Sequence, residues 1–163
     1  MESHLVLSEL LSTERVRVPL GSHTKADLIR ELVHLALPAT GDGIVDGVVA
    51  AVEAREAEVS TAMGGGLAVP HGRTDLVPAL CLSAGLVHDV RDYVAPDDQP
   101  VRVAFLVLTP TQASGQHVKL LSRIARLLHA PESRAALLAS RTAEEFLAVV
   151  RNGEAAPVVP ARG

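Results

Sequence analysis

A nearly unbroken apolar run at Val101–Leu108 constrains the fold of this chain more than any other segment. A strand with one face in water alternates apolar and polar residues, whereas a strand buried on both faces does not. The run is far too short to cross a bilayer as a helix, which needs about 20 apolar residues. It therefore predicts a central strand that other elements cover on both faces.

Helical and extended patterns follow one another on either side of this strand. Helices are predicted near Val6–Leu11, from Thr24 to Ala36, at Ile44–Glu58, from Ser114 onward, at Glu132–Ala139 and at Ala143–Arg151. Further strands are predicted at Arg15–Val18, Leu67–Val69 and Leu80–Val87. Because some strands follow each other without a crossover helix, the sheet should be mixed. The pattern predicts an α/β fold, a three-layer α/β/α sandwich whose central mixed sheet is flanked by helices.

Three helix starts carry capping signals. Thr24 is followed three places later by Asp27, and Thr142 by Glu145, which is the spacing of a side-chain cap. Ser114 is expected to cap the long helix after the central strand. The apolar residues expected to face inward on that helix are Val118, Leu121, Ile124, Ala125 and Leu128.

The length favours one domain, and composition predicts a loose tail at residues 151–163 that is rich in Pro, Ala and Gly. The net charge is −4 without a basic block, and aromatic residues make up 2%, which argues against binding to nucleic acid. The first eleven residues lack the basic start of a signal peptide, and Cys81 has no partner for an intramolecular disulfide. We expect a cytoplasmic protein that does not insert into a membrane.

His71 stands out among the seven histidines because it lies between Pro70 and Gly72, after three glycines. The proline stiffens the end of the preceding strand, and the glycine should let a ligand approach the imidazole. A neutral imidazole near pH 7 is a competent nucleophile. From local geometry alone, a nucleophile and an ordinary surface turn are equally compatible with the pattern.

Three other residues could complete an anion site around this histidine. His117 is expected in the first turn of the helix after the central strand, where a helix terminus favours an anion and a neutral imidazole. On its own it fits an ordinary helix-entry histidine better. Arg55 and Arg73 could meet phosphoryl oxygens with forked donors, although Arg55 also fits a solvated residue at a helix end.

Other kinds of active site find little support. No HxxxH, HExxH or Cys/His cluster occurs, so a zinc site is not expected. The chain lacks GxSxG, and its glycine-rich segment lacks the GK[ST] ending of a phosphate loop. We expect no metal and no cofactor.

Three segments together resemble a known family: REAEVSTAMGGGLAVPHGR, DDQPVRVAFLVLTPTQASGQHVKLLSRIARLL and LLASRTAEEFLAVV. They are similar to the type-2 enzyme IIA domain of the bacterial phosphoenolpyruvate-dependent phosphotransferase system. The resemblance covers nearly the whole chain and implies one such domain at residues 5–150. The resemblance implies a phosphotransferase component with a phosphohistidine intermediate. It also implies a mixed sheet between helix layers, in agreement with the pattern above.

The resemblance assigns roles to individual residues. His71 would accept a phosphoryl group on Nε2 from the small carrier HPr, His117 would hydrogen-bond or orient that group, and Arg55 falls on the family's arginine. An apolar rim for the carrier is expected near Leu67 and Val69.

The resemblance also separates branches of the family and leaves two roles open. Mannitol-type members carry an acidic residue six positions before the active histidine, where this chain has Gly65. The sequence shows no fused channel or HPr-like module, which favours a nitrogen-related regulatory protein acting on a target protein. The alternative is a fructose-type transport component that passes phosphate to a IIB domain.

Overall fold

The computed structural model describes residues 5–156 of the chain. The helices are α1 (Leu7–Leu11), α2 (Lys25–Ala36), α3 (Asp42–Glu58), α4 (Ser114–His129), α5 (Pro131–Ala139) and α6 (Ala143–Ala155). The strands are β1 (Val16–Leu20), β2 (Ala62–Gly64), β3 (Leu67–Ala68), β4 (His71–Arg73), β5 (Cys81–Val90) and β6 (Val101–Thr109). Within this part of the chain, no helix is both long and apolar enough to span a membrane.

The six strands form one mixed sheet with the order β1-β5-β6-β3-β2, and β4 also pairs with β6. The β5–β6 pair is antiparallel, whereas β1–β5, β3–β6 and β4–β6 are parallel. Every residue of β6 except Arg102 is buried. The predicted central strand is therefore confirmed.

Alternate residues of β6 point into two separate cores, which defines three layers. Ala104, Leu106 and Leu108 pack with the buried faces of α2 and α3. Val103, Phe105 and Val107 pack with α1, α4, α5 and α6 on the other face of the sheet. The predicted sandwich with a mixed sheet between helices is confirmed.

Two of the three predicted caps form. The Asp27 amide donates to Thr24 Oγ1 (3.2 Å), and the Glu145 amide donates to Thr142 Oγ1 (3.0 Å). Ser114 makes no cap, because it is already the first residue of α4 and the capping position is held by Ala113, which has no hydroxyl.

The predicted inward face of α4 is confirmed at Ile124 and Leu128 and wrong at Val118 and Ala125, while Leu121 is partly buried. Val118 and Ala125 are exposed, and the buried residues are His117, Leu120, Ile124, Leu127 and Leu128. Leucines at 120, 121, 127 and 128 create two overlapping apolar stripes, and the sequence alone does not say which of them faces the sheet.

The C-terminal tail begins later than predicted. Helix α6 continues to Ala155, so residues 151–155 are helical. The Glu154 carboxylate accepts hydrogen bonds from the amides of Leu7 (2.6 Å) and Ser8 (2.9 Å) at the start of α1. This contact between the two ends of the chain stabilises a segment whose composition suggested a loose end. Residues 157–163 of the predicted tail lie outside the described residues.

Candidate functional site

His71 begins β4, a three-residue strand that the sequence analysis did not predict. It pairs in parallel register with β6, with His71 opposite Val107 and Arg73 opposite Thr109. The Val107 amide donates to the carbonyl oxygen of Pro70 (3.1 Å), so the chain resumes pairing directly after the proline. The histidine is thereby fixed to the central strand of the sheet and not placed on a free turn.

The missing side chain of Gly72 allows close packing against α3 and does not open a path to the imidazole of His71. It is buried, and a Cβ at this position would lie 3.1 Å from Val52 Cγ2 of α3. The expectation that this glycine opens a path to the imidazole was therefore wrong. Its missing side chain lets α3 approach β4 closely.

The tautomer of His71 follows from its hydrogen bond to the main chain. Nδ1 lies 2.9 Å from the carbonyl oxygen of Val69. A carbonyl oxygen can only accept, so Nδ1 carries the proton and Nε2 carries the lone pair. Burial lowers the pKa of His71, and the positive charge of Arg55 acts in the same direction. The lone pair at Nε2 is consequently available near neutral pH.

His117 lies beside His71 in the first turn of α4. The two ring centroids are 5.2 Å apart and the planes meet at 63°. His117 is only 7% exposed, and its Nδ1 lies 2.7 Å from Thr109 Oγ1. Burial lowers the pKa of His117 to about 4, with further contributions from the neighbouring His71, Arg73 and Arg55. Two neutral imidazoles therefore face each other at neutral pH.

Both predicted arginines lie near the pair of rings, and each is anchored to a carbonyl oxygen. Arg55 Nη1 donates to Val59 (2.8 Å), and Arg73 Nη2 donates to Thr111 (2.7 Å). Within residues 5–156 neither guanidinium makes an ion pair with a carboxylate. Each keeps N–H groups and a full charge for an anion.

The structure adds a buried acidic residue that sequence reasoning missed. Glu56 accepts hydrogen bonds from Thr61 Oγ1 and from the Tyr93 hydroxyl (2.7 Å), and it pairs with Lys25 Nζ at 3.0 Å. Burial opposes its negative charge, but these bonds outweigh that effect and lower its pKa. Its charge acts to raise the pKa of His71. The only feature of the sequence that could have indicated a role for Glu56 is its position directly after Arg55.

These groups together suit a tetrahedral anion bound to nitrogen. One imidazole offers a lone pair, a second neutral imidazole stands beside it, and two guanidinium groups supply positive charge. Among the described residues, no group of three or more His, Cys, Asp or Glu side chains could hold a metal ion.

Comparison with known proteins assigns the chain to a family. The model of the family "Phosphoenolpyruvate-dependent sugar phosphotransferase system, EIIA 2" matches residues 9–153. The chain belongs to this family. It is 33% identical over 145 residues to the nitrogen regulatory protein of Bradyrhizobium diazoefficiens, covering 88% of this chain and 94% of the relative. It is 31% identical over 150 residues to the fructose-specific EIIA component of Haloferax volcanii, covering 88% and 96%.

A solved EIIA structure agrees with this assignment. The nitrogen regulatory protein IIA-Ntr from Neisseria meningitidis superposes with a TM-score of 0.79 at 28% identity, covering 88% of this chain and 98% of that chain. The type-2 phosphotransferase system IIA family thus includes relatives with regulatory names and relatives with sugar-transport names, and this chain is similar to both.

The apolar rim expected for this EIIA chain was wrong, whereas the lack of an acidic residue at Gly65 agrees with the sequence analysis. Leu67 and Val69 are buried (2% and 7% exposed), so they do not form the expected apolar rim. Gly65 has a φ of +66°, and its amide donates to Asp97 Oδ2 (2.8 Å). The acidic charge that raises the pKa of His71 comes from Glu56 and not from the position of Gly65.

Proposed function

We propose that this chain is a phosphocarrier that accepts a phosphoryl group on His71 Nε2 from a phosphorylated HPr-like carrier, as a nitrogen-related regulatory IIA protein. The hydrogen bond from His71 Nδ1 to the Val69 carbonyl oxygen carries the proposal, because it leaves the lone pair on Nε2. The neighbouring His117, Arg55 and Arg73 supply the polar surroundings that a phosphoryl group needs. We place the protein in the cytoplasm, where such carriers would meet it.

The transfer is an in-line displacement between two nitrogens. The His71 Nε2–P bond forms while the N–P bond of the donor breaks, and the electron pair of the broken bond stays on the donor nitrogen. His71 keeps its proton on Nδ1, which donates to the Val69 carbonyl oxygen throughout. Arg55, Arg73 and His117 stabilise the negative charge on the phosphoryl oxygens.

A carrier that docks here needs an apolar contact beside the histidines. Val118 follows His117 directly and is 62% exposed, and Leu76 lies three residues beyond Arg73 and is 47% exposed. These two side chains, which we call the docking rim, replace the buried Leu67 and Val69 in this role. Transient partners bury small surfaces of mixed polarity, which a rim of this size suits.

Phosphorylation of His71 would change the docking rim electrostatically. A group with up to two negative charges would appear next to exposed apolar side chains. Such a change alters which proteins bind the surface, and this supports a regulatory role. The nitrogen regulatory names of the Bradyrhizobium and Neisseria proteins favour the same role.

A second function is supported by the fructose-specific relative from Haloferax. In that case the chain would pass the phosphoryl group from His71 to a IIB domain during sugar uptake. The same site chemistry serves either role, so the acceptor distinguishes them.

The first experiment tests phosphorylation at His71. The purified chain is incubated with phosphoenolpyruvate, enzyme I and HPr, and its intact mass is measured. We expect an acid-labile gain of one phosphoryl group, lost in His71→Ala and kept in His129→Ala, an exposed position on α4. Phosphorylation of His71→Ala would overturn the proposal.

A second step separates the two roles. The phosphorylated chain is mixed with a fructose-type IIB domain and loss of the phosphoryl group is followed over time. Retention supports the regulatory role, and rapid loss that depends on the IIB cysteine or histidine acceptor supports transport. His117→Ala should still accept some phosphoryl group but pass it on poorly.

A further inference from the structure

Thr109 is a buried hydroxyl at the end of the apolar strand β6, next to the site but without an assigned role. Its side chain is fully buried. Oγ1 lies 2.7 Å from His117 Nδ1, and this is the one hydrogen bond that its side chain makes within residues 5–156. The main chain of Thr109 is held as well, because its carbonyl oxygen accepts from the Thr74 amide (2.9 Å). The hydroxyl is therefore fixed relative to the central sheet.

The direction of this hydrogen bond follows from what each atom can do. A threonine hydroxyl has one proton and two lone pairs, and a neutral imidazole nitrogen is either a donor or an acceptor. If His117 Nδ1 donated to Oγ1, the hydroxyl proton of Thr109 would be buried without an acceptor. An unpaired buried donor is the costly case, whereas an unused lone pair on a hydroxyl costs little. Thr109 Oγ1 therefore donates to His117 Nδ1.

We propose that Thr109 is a positioning residue that holds His117 as the Nε2–H tautomer and presents this N–H to the phosphoryl group on His71. The part of the proposal that concerns the phosphoryl group rests on the proposed function. The tautomer itself depends only on the unphosphorylated structure.

The open surroundings of His117 Nε2 agree with this role. No buried side-chain nitrogen or oxygen in the described part of the chain lacks a hydrogen-bond partner. Nε2 of His117 has no such partner, so it reaches the surface of the site on the side away from Thr109. An N–H that is open and held in one orientation can form its bond to an incoming anion without reorganisation.

The two histidines thus take opposite tautomers from different anchors. The main-chain oxygen of Val69 places the proton of His71 on Nδ1, and the Thr109 hydroxyl places the proton of His117 on Nε2. His71 then offers the lone pair of its Nε2, and the neighbouring His117 offers the N–H of its Nε2. Burial lowers the pKa of His117. Protonation of His117 would also require Nδ1 to donate, which would leave the Thr109 hydroxyl proton unpaired, so the hydrogen bond to Thr109 disfavours the charged ring.

The first test is the tautomer of His117 in the unphosphorylated protein. Long-range proton–nitrogen NMR spectra of the ¹⁵N-labelled chain at pH 7 distinguish a protonated Nε2 from a protonated Nδ1. We expect His117 to carry its proton on Nε2 and His71 on Nδ1. A proton on Nδ1 of His117 would overturn the proposal. This measurement needs no phosphoryl donor, so it stands or falls independently of the phosphocarrier function.

The second test asks whether the hydroxyl positions the ring during transfer. Thr109→Val keeps the side-chain shape and removes the hydroxyl, whereas Thr109→Ser keeps the hydroxyl. We expect Thr109→Val to slow phosphoryl transfer from phospho-HPr by roughly 5–30-fold and to raise the pKa of His117, as loss of one hydrogen bond predicts. Thr109→Ser should restore most of both properties.

Two further outcomes would decide against a positioning role. Equal transfer rates for wild type and Thr109→Val would show that the hydroxyl does not matter for transfer. A rate loss in Thr109→Val without a shift in the His117 titration would show a general packing effect. If Thr109→Val does not fold, the wild-type tautomer and Thr109→Ser, which should keep the Nε2 proton, still test the proposal.

Discussion

The carbonyl oxygen of Val69 lies 2.9 Å from Nδ1 of His71, two residues further along the chain. Because the acceptor belongs to the main chain, no substitution at Val69 removes it. The backbone between β3 and β4 thus determines that Nε2 carries the lone pair, while the pKa of the ring depends on surrounding charges. The phosphoryl acceptor chemistry should accordingly tolerate side-chain changes at 69 and respond to changes in nearby charge and pH.

The rate of phosphoryl acceptance should fall as the pH falls below 6.5. Burial lowers the pKa of His71 below its usual 6.5, so protonation of Nε2 sets in only at lower pH. His117 has a pKa of about 4 and stays neutral through this range. Acceptance from phospho-HPr, measured between pH 5 and 8 with the donor rate controlled separately, should reach a plateau near neutral pH. A midpoint above 6.5 would contradict the lowered pKa of His71.

Protein stability should decrease between pH 6.5 and about 4 partly because of His117. Its pKa is about 4 in the folded chain and near 6.5 when unfolded, so the unfolded state binds more protons in this window. The stabilisation present above pH 6.5 is lost as the pH falls, on the order of 3 kcal/mol for this group. Urea unfolding of His117→Asn should show a shallower pH dependence than wild type. His129→Asn, on an exposed face of α4, should match wild type.

The two arginines should have separable effects on the histidines. Arg55 lowers the pKa of both His71 and His117, whereas Arg73 acts on His117. NMR titration of Arg55→Gln should show both pKa values raised, and Arg73→Gln should raise that of His117 with little change at His71. Arg55→Gln should also slow phosphoryl acceptance by about tenfold, since a charge-assisted contact is lost. Identical titration shifts in the two variants would refute this arrangement.

A charge on the docking rim should weaken transfer from the carrier without unfolding the protein. Val118→Asp places a carboxylate beside His117, where it repels the phosphoryl group of the donor and removes an apolar contact. The KM for phospho-HPr should rise about tenfold, while urea unfolding changes little. Ala125→Asp is the matched control, because Ala125 is also apolar and exposed on α4 but lies about two helical turns beyond Val118. Equal effects of the two variants would argue against a docking rim at Val118.

The large elements were predictable because their patterns are strong. The apolar run of β6 and the caps at Thr24 and Thr142 appear in the structure as the sequence predicts. The short strand β4 was not predictable, since three residues at His71–Arg73 show no periodicity and depend on pairing with β6. The end of α6 was also missed, because Glu154 is stabilised by contacts with α1, which lies at the other end of the chain.

The sequence named the residues of the candidate site but did not predict their contacts. His71, His117, Arg55 and Arg73 were identified from motif and resemblance, and the structure brings all four into one place. The contributions of Glu56 and Thr109 depend on burial, which no local pattern reveals for a polar residue. The rim at Leu67 and Val69 was predicted wrongly, because neighbours of an active residue in sequence need not share its exposure.

The position of His71 opposite Val107, with Thr109 two residues further along the same strand, has an evolutionary consequence. The groups that we propose to react depend on a fully packed central strand, where few substitutions are tolerated. Val118 and Leu76 lie outside both cores and are free to drift. Descendants of such a protein could acquire new partners through surface substitutions while inheriting the phosphoryl chemistry unaltered, which would let one scaffold serve both uptake and regulation.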